Sequence, residues 1–387
     1  MPADVRVWNE ARTLSDAGYE VVILCAALRG TDASTESVEL LDGIEIRRYA
    51  LEPAERGVIS YAREYAHALW RIHRAVRRLS SERHFDVVHA ANPPDVLLLG
   101  ALVLRRAGAR FIFDHHDLVP ELYRTRFGDR SSSLHALTLR AERLAFSLAD
   151  VVICPNESYR EIALARGRCH PADVFVVRNG PDLARLRLVE PDPSLKRGRR
   201  HLISYLGAMA PQDGVDHAIR ALAVVRERRD DWYAIFMGDG ESLTHMRELA
   251  RTLGVDDMID FAGWSGDAYI RRVLSTSDVC LAPEPPNPLN ELSTMIKITE
   301  YMAMARPVVS YGLKESRLAA GDAAAYARAN HPASLAERID ELLSDEALRI
   351  RMGEAGRGRV EREFSWDHSA RELRAAYVRA LEVKATA

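Results

Sequence analysis

Cysteine is scarce in this sequence, and its spacing does not indicate a cysteine-based site. The 387 residues include 4 Cys, and no two of them form a CxxC pair. Cys25, Cys154 and Cys280 lie within apolar runs and are predicted to be buried thiols. Thiols of this kind fit a reducing compartment, and no secretory leader is visible at the start of the sequence. We therefore expect a cytoplasmic location.

Long apolar runs and the common nucleotide-binding fingerprints are also missing. No apolar run reaches the roughly 18 residues that a transmembrane helix requires. The formal net charge is −3, which argues against a general nucleic-acid-binding protein. Neither GxGxxG nor GxxxxGK[ST] occurs, which weakens dinucleotide and ATP interpretations. The hydrophobic fraction of 47% nevertheless suffices for globular cores, and 387 residues predict two domains.

Strand-like and helix-like segments alternate through both halves of the chain. Apolar strands such as 110–114 and 202–206 are each followed by a helical pattern, which is typical of parallel sheets covered by helices on both faces. Charged, irregular sequence between 182 and 200 separates the halves, so we place domains at 1–185 and 186–365. Two such sheets should face each other across a cleft at the carboxyl ends of their strands.

The start of the chain departs from this alternation. A helix over 5–17 comes first and a strand over 20–25 follows, whereas a parallel α/β domain usually begins with a strand. We expect one of two explanations. Either the first strand is absent because the start codon is mis-set or the chain is trimmed, or the domain begins with a helix.

Residues 283–311 predict a loop, a helix and a short buried strand. The proline-rich beginning cannot be helical, and Ser293 and Thr294 can cap a helix over 295–305. The amino end of that helix presents free N–H groups and a positive dipole, which suits a phosphate. Lys297 lies in the first turn, where an anion would make its charge favourable.

Two glycine-containing turns follow strands in the second half. Gly207 begins the turn 207–216, and Gly238 begins the turn 238–241. Glycine allows a backbone to approach a phosphate or sugar closely. One such turn is more often structural, but two of them, together with residues 293–301, support a nucleotide phosphate site.

Four titratable residues end one strand of the first half: Asp114, His115, His116 and Asp117. They could bind a metal, although no further His or Cys completes a site at ligand spacing. They could instead supply an acid/base or bind sugar hydroxyls, or a histidine could cap the next helix. Asn92 ends a neighbouring strand, where it either lines the same cleft or caps a helix begun by proline.

The helix predicted over 59–79 is basic around a tryptophan. It carries Trp70 with Arg63, Arg71, Arg74, Arg77 and Arg78. Such a helix can contact an anionic membrane surface from the cytoplasmic side. The other interpretation is a solvated face over an ordinary core stripe, which the spread of arginine around the helix favours.

Several runs of residues together resemble one enzyme family. They are DVRVWNE at 4–10, DHHDLVPELY at 114–123, VRNG at 177–180, the turn 207–216, KITEYMA at 297–303 and PVV at 307–309. In this order, over nearly the whole chain, they resemble the family-four retaining GT-B glycosyltransferases, in particular the branch that builds O-antigens and capsules. No single run is specific, but the combination is.

The resemblance implies two Rossmann-like domains, with a final helix over 366–385 that crosses back to the first. The second domain would bind a nucleotide-diphosphate sugar, with UDP as the expected nucleotide and no metal or other cofactor. The first would face an acceptor, which is a glycan, a lipid-linked sugar or a small molecule, in the synthesis of bacterial surface polysaccharide.

The resemblance also assigns residues. Catalytic roles fall on His116, Glu291 and Lys297, with His116 contacting the transferred sugar. Glu300 would bind the donor ribose, and the other donor-binding residues would be Gly207, Gly238, Ser293, Thr294, Met295 and Ile296. Asn92, Asp114 and Asp117 would lie on the acceptor side.

Three departures from the family pattern bear on catalysis. The first glutamate of the E-x7-E motif should lie at 292, which is leucine, and Glu291 is one residue off. The usual arginine and lysine of the first turn in the second domain fall on Ala208 and Asp213, so Lys297 would have to replace them. Two alternatives therefore remain: a nucleotide-sugar epimerase on the same fold, or a non-catalytic partner protein.

Overall fold

The computed structural model describes residues 4–26, 37–49, 58–93, 98–128 and 132–382. The chain divides into two compact units, Met1–Arg178 with Ser369–Ala387, and Asn179–His368. The division falls at Arg178, ahead of the predicted residue 185, because Leu183 and Leu186 pack in an apolar core of the second unit.

The first unit consists of alternating helices and strands. In chain order they are α1 Val5–Asp16, β1 Val22–Ala26, β2 Ser37–Leu41, β3 Ile44–Tyr49, α2 Val58–Glu82, β4 Val87–Ala91, α3 Leu98–Arg106, β5 Arg110–Asp114, α4 Val119–Phe127, α5 Ser132–Leu148, β6 Val151–Cys154, α6 Glu157–Ala165 and β7 Val174–Val176. Asp4 caps α1 by accepting hydrogen bonds from the first-turn N–H groups. Residues 1–3, where the question of a missing first strand arises, lie outside the described residues.

The second unit continues the same alternation, and a last helix follows it. The elements are β8 His201–Leu206, α7 Val215–Arg226, β9 Trp232–Met237, α8 Leu243–Thr252, β10 Ile259–Gly263, α9 Asp267–Thr276, β11 Val279–Ala282, α10 Ile296–Ala303, β12 Val308–Tyr311, α11 Lys314–Ala320, β13 Ala324–Ala327, α12 Pro332–Ser344, α13 Glu346–Arg359 and α14 Trp366–Glu382. From Ser369 onward, α14 belongs to the first unit. There Tyr377 Oη lies 3.1 Å from His89 Nδ1, and Arg379 donates to Asp173 at 2.8 Å.

The strands form three sheets. The first unit holds a three-stranded sheet in the order β1-β3-β2 and a four-stranded sheet in the order β4-β5-β6-β7. The second unit holds a six-stranded sheet in the order β10-β9-β8-β11-β12-β13, whose pairs are all parallel. The predicted α/β fold with two Rossmann-like parallel-sheet domains is confirmed.

A short antiparallel hairpin was not predicted from the sequence. β2 pairs antiparallel with β3 through Asp42 and Gly43, whose φ angles are 49° and 81°. Asp-Gly with positive φ is the usual chemistry of a tight hairpin turn. Four of the five residues of β2 are exposed, including the apolar residues Val38 and Leu40.

The six-stranded sheet separates two apolar cores. Ile235 packs in one core, while its neighbours Ala234 and Phe236 pack in the other, as the alternation of side chains along a strand requires. Helices therefore cover both faces of the sheet. Because its strands are all parallel, every strand-to-helix turn lies at the carboxyl ends of the strands. Among the described residues, no helix combines the length and apolar character needed to cross a membrane.

Candidate active site

Lys297 is the central cation of the second unit's candidate site. It lies in the first turn of α10, and its ammonium pairs with the Glu284 carboxylate and donates to Tyr205 Oη at 3.0 Å. Glu284 is only 1% exposed. Burial alone would lower the pKa of Lys297, but Glu284, Tyr205 and Asp213 together outweigh burial and raise that pKa above its usual range. Lys297 is therefore a fixed positive charge at neutral pH.

Glu300 lies one turn further along α10 and is held by an arginine. Arg185 donates to Glu300 Oε1 at 2.7 Å and to Asp267 Oδ1 at 2.9 Å. Burial raises the pKa of Glu300, and the neighbouring Arg185 opposes that shift. Arg185 and Asp267 were not predicted as site residues, because their separation in sequence from α10 hides this contact.

The loop before α10 differs from its predicted role as a cap. The helix covers Ile296–Ala303, and its N-cap residue is Met295, which makes no side-chain hydrogen bond. Ser293 Oγ instead donates to Leu289 O at 2.9 Å, and Thr294 Oγ1 donates to Glu315 Oε2 at 3.1 Å. The prediction that Ser293 and Thr294 cap this helix is therefore wrong, because their hydroxyls bind elsewhere.

Glu291, the off-register glutamate, also has a local partner. Its Oε2 accepts a hydrogen bond from the backbone N–H of Lys314 at 3.1 Å, at the start of α11. A carboxylate at a helix amino terminus is stabilised by the helix dipole. This contact supports a structural role for Glu291, and its predicted catalytic role stays a prediction.

The two predicted glycine turns lie against each other and against Lys297. A Cβ atom on Gly207 would come within 2.8 Å of Lys297 Nζ, and one on Gly238 would come within 1.8 Å of the Gly207 carbonyl oxygen. Both glycines have positive φ, 149° and 141°. The structure thus brings Gly207, Gly238 and Lys297 together. At position 238, the close approach of the Gly207 backbone is by itself enough to require a glycine.

The turn after β8 contains the residues that replace the family's basic pair. Asp213 Oδ2 accepts from Ala210 N at 2.8 Å and closes the turn. Its charge, like that of Glu284, contributes to the raised pKa of Lys297. Lys297 therefore lies among carboxylates, and a diphosphate would have to share or replace those contacts.

In the first unit, the polar residues at the end of β5 have separate roles. Asp114 is fully buried and accepts two hydrogen bonds from Arg6, both at 2.7 Å. Although burial opposes ionisation, Arg6 and His116 hold the pKa of Asp114 well below its usual range. Asp114 is therefore a buried anchor bound by Arg6, and its predicted place on the acceptor side stays a prediction.

His116 is oriented by that anchor. Its Nδ1 lies 3.0 Å from Asp114 Oδ2, and its Nε2 lies 4.0 Å from Asp117 Oδ2. Burial would lower the pKa of His116, but the Asp114 charge raises it. A histidine oriented by a buried carboxylate can present a proton or a positive charge to a ligand.

Asn92 shapes the turn that carries His116. Its Oδ1 accepts from the N–H groups of His116 and Asp117 at 3.0 and 2.9 Å, and its Nδ2 donates to Asp117 O at 2.7 Å. These contacts make Asn92 a positioning residue of the turn. Asp117 keeps a side chain that is 47% exposed, so a ligand can reach it.

His115 belongs to the core. It is fully buried, and its Nε2 lies 3.2 Å from Glu142 Oε1. The rings of Phe113, Phe146 and Tyr159 surround it. Of the two neighbouring histidines, only His116 is placed for ligand contact.

A buried cluster beneath His116 was not predicted from the sequence. Glu10, His89 and Asp114 place ligand atoms within 4.8 Å of one another, an arrangement that resembles a metal site. Arg6 Nε, however, lies 3.1 Å from Glu10 Oε1, and the same guanidinium binds Asp114. Arg6 thus supplies the positive charge that a metal would otherwise provide, so these residues fit a charge-balanced structural cluster better.

The protonation of Glu10 leads to a pH prediction. Burial raises the pKa of Glu10 from 4.5 to about 8, against the opposing effect of Arg6. The proton binds more tightly in the folded state, so this contribution to the free energy of unfolding is complete below about pH 4.5 and is lost as pH rises to about 8. We expect Glu10→Gln to flatten that decline by up to about 1.4 kcal/mol per pH unit.

Urea denaturation at several pH values between those limits measures this effect. Glu248→Gln, a change at an exposed helical glutamate, serves as the control and should leave the slope unchanged. Equal slopes for the wild type and Glu10→Gln would contradict the assignment.

The basic helix α2 keeps its tryptophan exposed. Trp70 is 53% exposed, and the guanidinium carbons of Arg71 and Arg74 lie 5.7 and 5.6 Å from its ring centroid. The side chain of Arg63 lies outside the described residues. Membrane contact through this helix stays a prediction.

Comparisons with known proteins agree with the architecture. The model of Glycosyltransferase Family 4 matches residues 3–185, and that of Glycosyl transferases group 1 matches residues 200–345. The glycogen synthase of Mycobacterium tuberculosis strain H37Rv is 25% identical over 393 residues, which is 97% of this chain and 90% of that protein.

Solved structures show the same fold. Sucrose-phosphate synthase from Thermosynechococcus elongatus superposes with a TM-score of 0.80 at 16% identity, over 98% of this chain and 93% of that one. Anabaena Alr3699/HepE in complex with UDP-glucose gives 0.66 at 17% identity, over 87% and 86% of the two chains. The chain is therefore a glycosyltransferase with the GT-B fold, in which residues 3–185 match the Glycosyltransferase Family 4 model and residues 200–345 match the glycosyl transferases group 1 model.

Proposed function

We propose that this glycosyltransferase moves a sugar from a nucleotide-diphosphate sugar to an acceptor hydroxyl with retention of configuration. The observation that carries the proposal is the arrangement on α10, where Lys297 and Glu300 lie one turn apart beside Gly207. Residues one turn apart share a helix face. A cation suits a diphosphate, and a carboxylate can accept hydrogen bonds from two vicinal ribose hydroxyls.

The amino end of α10 supports phosphate binding independently of these side chains. Met295 at the N-cap makes no side-chain hydrogen bond. First-turn N–H groups and the helix dipole favour an anion at this position. We propose that the backbone of residues 293–296 binds the diphosphate there.

The proposed reaction is a front-face substitution. The bond between the anomeric carbon and the diphosphate oxygen breaks while the acceptor oxygen attacks on the same face, and the acceptor hydroxyl proton passes to the leaving diphosphate oxygen. Lys297 and the α10 amides would stabilise the charge that develops on the leaving diphosphate. His116, which Asp114 orients, would bind the transferred sugar.

We further propose UDP as the nucleotide, because HepE, a protein of the same fold, was solved with UDP-glucose. The proposed acceptor is a hydroxyl of a glycan, a lipid-linked sugar or a small molecule, in the synthesis of a cell-surface polysaccharide or glycoconjugate. The proposed location is the cytoplasm, where α2 would contact the inner face of the membrane. No metal is assigned a role, since Lys297 would supply the positive charge.

A thermal-shift panel of nucleotide diphosphates and their sugars tests the proposal. At about 100 times its dissociation constant, UDP should raise the melting temperature by roughly 5 °C or more through mass action. Turnover of the donor should require an acceptor and survive EDTA. Turnover without any acceptor would indicate the epimerase instead, and a chain that neither binds nor turns over any donor would be the non-catalytic partner.

A further inference from the structure

Glu284 lies on the buried side of Lys297. It follows the carboxyl end of β11 by two residues, and its carboxylate pairs with the Lys297 ammonium. The side chain of Lys297 is 10% exposed, whereas that of Glu284 is 2% exposed. A ligand that approaches this pair from solvent therefore meets the ammonium first and has the carboxylate behind it.

The charges around Lys297 are unfavourable for a diphosphate as they stand. Glu284 and Asp213 both act on the ammonium, so two carboxylates accompany one cation. The other titratable groups beside Glu284 are Tyr205 and Tyr301, and burial raises the pKa of both, so they are uncharged near neutral pH. A diphosphate would add negative charge to this group. Crowding of like charges favours the protonation of a carboxylate.

Glu284 is the carboxylate best placed to take up that proton. Its Oε1 faces the ammonium, while its Oε2 is buried and, within the part of the chain that the structure describes, makes no hydrogen bond. Asp213 is only half-buried and accepts from the backbone N–H of Ala210 at 2.8 Å, a contact that favours its charged form. Glu300 has a cation of its own in Arg185.

The loop that carries Glu284 is tightly held. Proline precedes and follows this residue. Asn290 Nδ2 donates to Pro285 O at 2.8 Å, and a Cβ atom on Gly214 would come within 2.2 Å of Pro283 O. Because the backbone on both sides is fixed, these contacts favour protonation of Glu284 in place over its movement away from the ligand.

We propose that Glu284 is a positioning residue that takes up a proton when a diphosphate binds Lys297. As a carboxylate, it holds the ammonium beside Gly207. As a neutral acid, it still accepts a hydrogen bond from the ammonium through its carbonyl oxygen, so Lys297 keeps its place while its charge becomes available to the diphosphate. The inference rests on the proposed donor site. It accounts for diphosphate binding without the basic pair whose positions hold Ala208 and Asp213.

Isothermal titration calorimetry of the full chain with UDP tests the proposal. Titrations in buffers of different ionisation enthalpy give the number of protons taken up on binding, at about pH 7.5, which is above the ~6 at which phosphate groups complete their ionisation. We expect the wild type to take up about one proton more than Glu284→Gln, because the variant has no carboxylate to protonate. Any ionisation of UDP itself is common to both proteins and cancels.

The pH dependence of affinity gives a second readout. In the wild type, the dissociation constant for UDP should rise by up to about tenfold per pH unit between about pH 7 and 9, since the proton that accompanies binding becomes scarcer. Glu284→Gln is neutral throughout, so its dissociation constant should change little and be about tenfold lower than that of the wild type at about pH 9. A merely structural role would instead weaken binding in the variant.

The outcomes separate this inference from the proposed function. Equal proton uptake by both proteins would overturn the inference and leave the donor site in place. Uptake that is lost in Asp213→Asn or Glu300→Gln but kept in Glu284→Gln would also contradict it, because another carboxylate would be the proton acceptor. The wild type decides by itself if the variant does not fold, since uptake near zero rules the inference out. If neither UDP nor inorganic pyrophosphate binds, the proposed donor site is wrong as well.

Discussion

Replacing Lys297 by methionine is expected to lower kcat/KM for the nucleotide-sugar donor by about 100-fold or more. Methionine keeps much of the side-chain length but removes the ammonium that would stabilise the leaving diphosphate, and the loss of one such group typically costs that much. Steady-state kinetics with the donor identified by the thermal-shift panel measure the effect.

The same substitution has a separate expected effect on stability. It leaves Glu284, which is 1% exposed, buried without its cation. Removing one partner of a buried ion pair costs about 3–5 kcal/mol. Chemical denaturation of Lys297→Met should therefore show a lower free energy of unfolding.

The matched control restores stability without restoring the charge. In the double variant Lys297→Met with Glu284→Gln, the uncompensated carboxylate is removed, so most of the lost stability should return while activity stays low. If the double variant recovers wild-type kcat/KM, Lys297 acts only through stability and the proposed catalytic role is wrong.

Replacing Glu300 by alanine is expected to raise the dissociation constant for the nucleoside diphosphate about 10- to 100-fold. Hydrogen bonds from hydroxyls to a charged carboxylate contribute about 1.5–3 kcal/mol, which corresponds to this range. Isothermal titration calorimetry measures it directly. An unchanged dissociation constant would contradict the assignment of Glu300 to the ribose.

Asp267→Ala provides the matched control for Glu300. Arg185 binds both carboxylates, so either substitution leaves this arginine with one partner and perturbs it in a similar way. Asp267 is not a predicted donor ligand. Equal losses of affinity in the two variants would mean that Arg185, and not Glu300, is the group that matters.

Local sequence patterns determined much of the architecture. Apolar strands such as β6 and β11 and the helix at α10 were predictable because burial on both faces and strong helix formers leave a signal within a few residues. The hairpin strand β2 was missed although Val38, Leu40 and Leu41 are apolar, and its Asp42-Gly43 turn is the further signal that could have indicated it.

The roles of charged residues depended on contacts between distant parts of the chain. The run from Asp114 to Asp117 indicated a candidate site at the carboxyl end of a strand. Its sequence could not show that Asp114 is a buried anchor while His116 can face a ligand. Arg6 decides that difference, and it lies more than one hundred positions away along the chain. Likewise, nothing near Glu300 in sequence points to Arg185.

The sequence by itself determined the alternation of strands and helices, the family resemblance and the position of Lys297 in a helix's first turn, since each of these depends on neighbouring residues. Only the tertiary structure decided that Glu284 pairs with Lys297, that Arg6 binds Asp114, and that β1 and β4 lie in separate sheets. The physical reason is that ion pairing and sheet pairing depend on distance in space, which the order of residues along the chain does not specify.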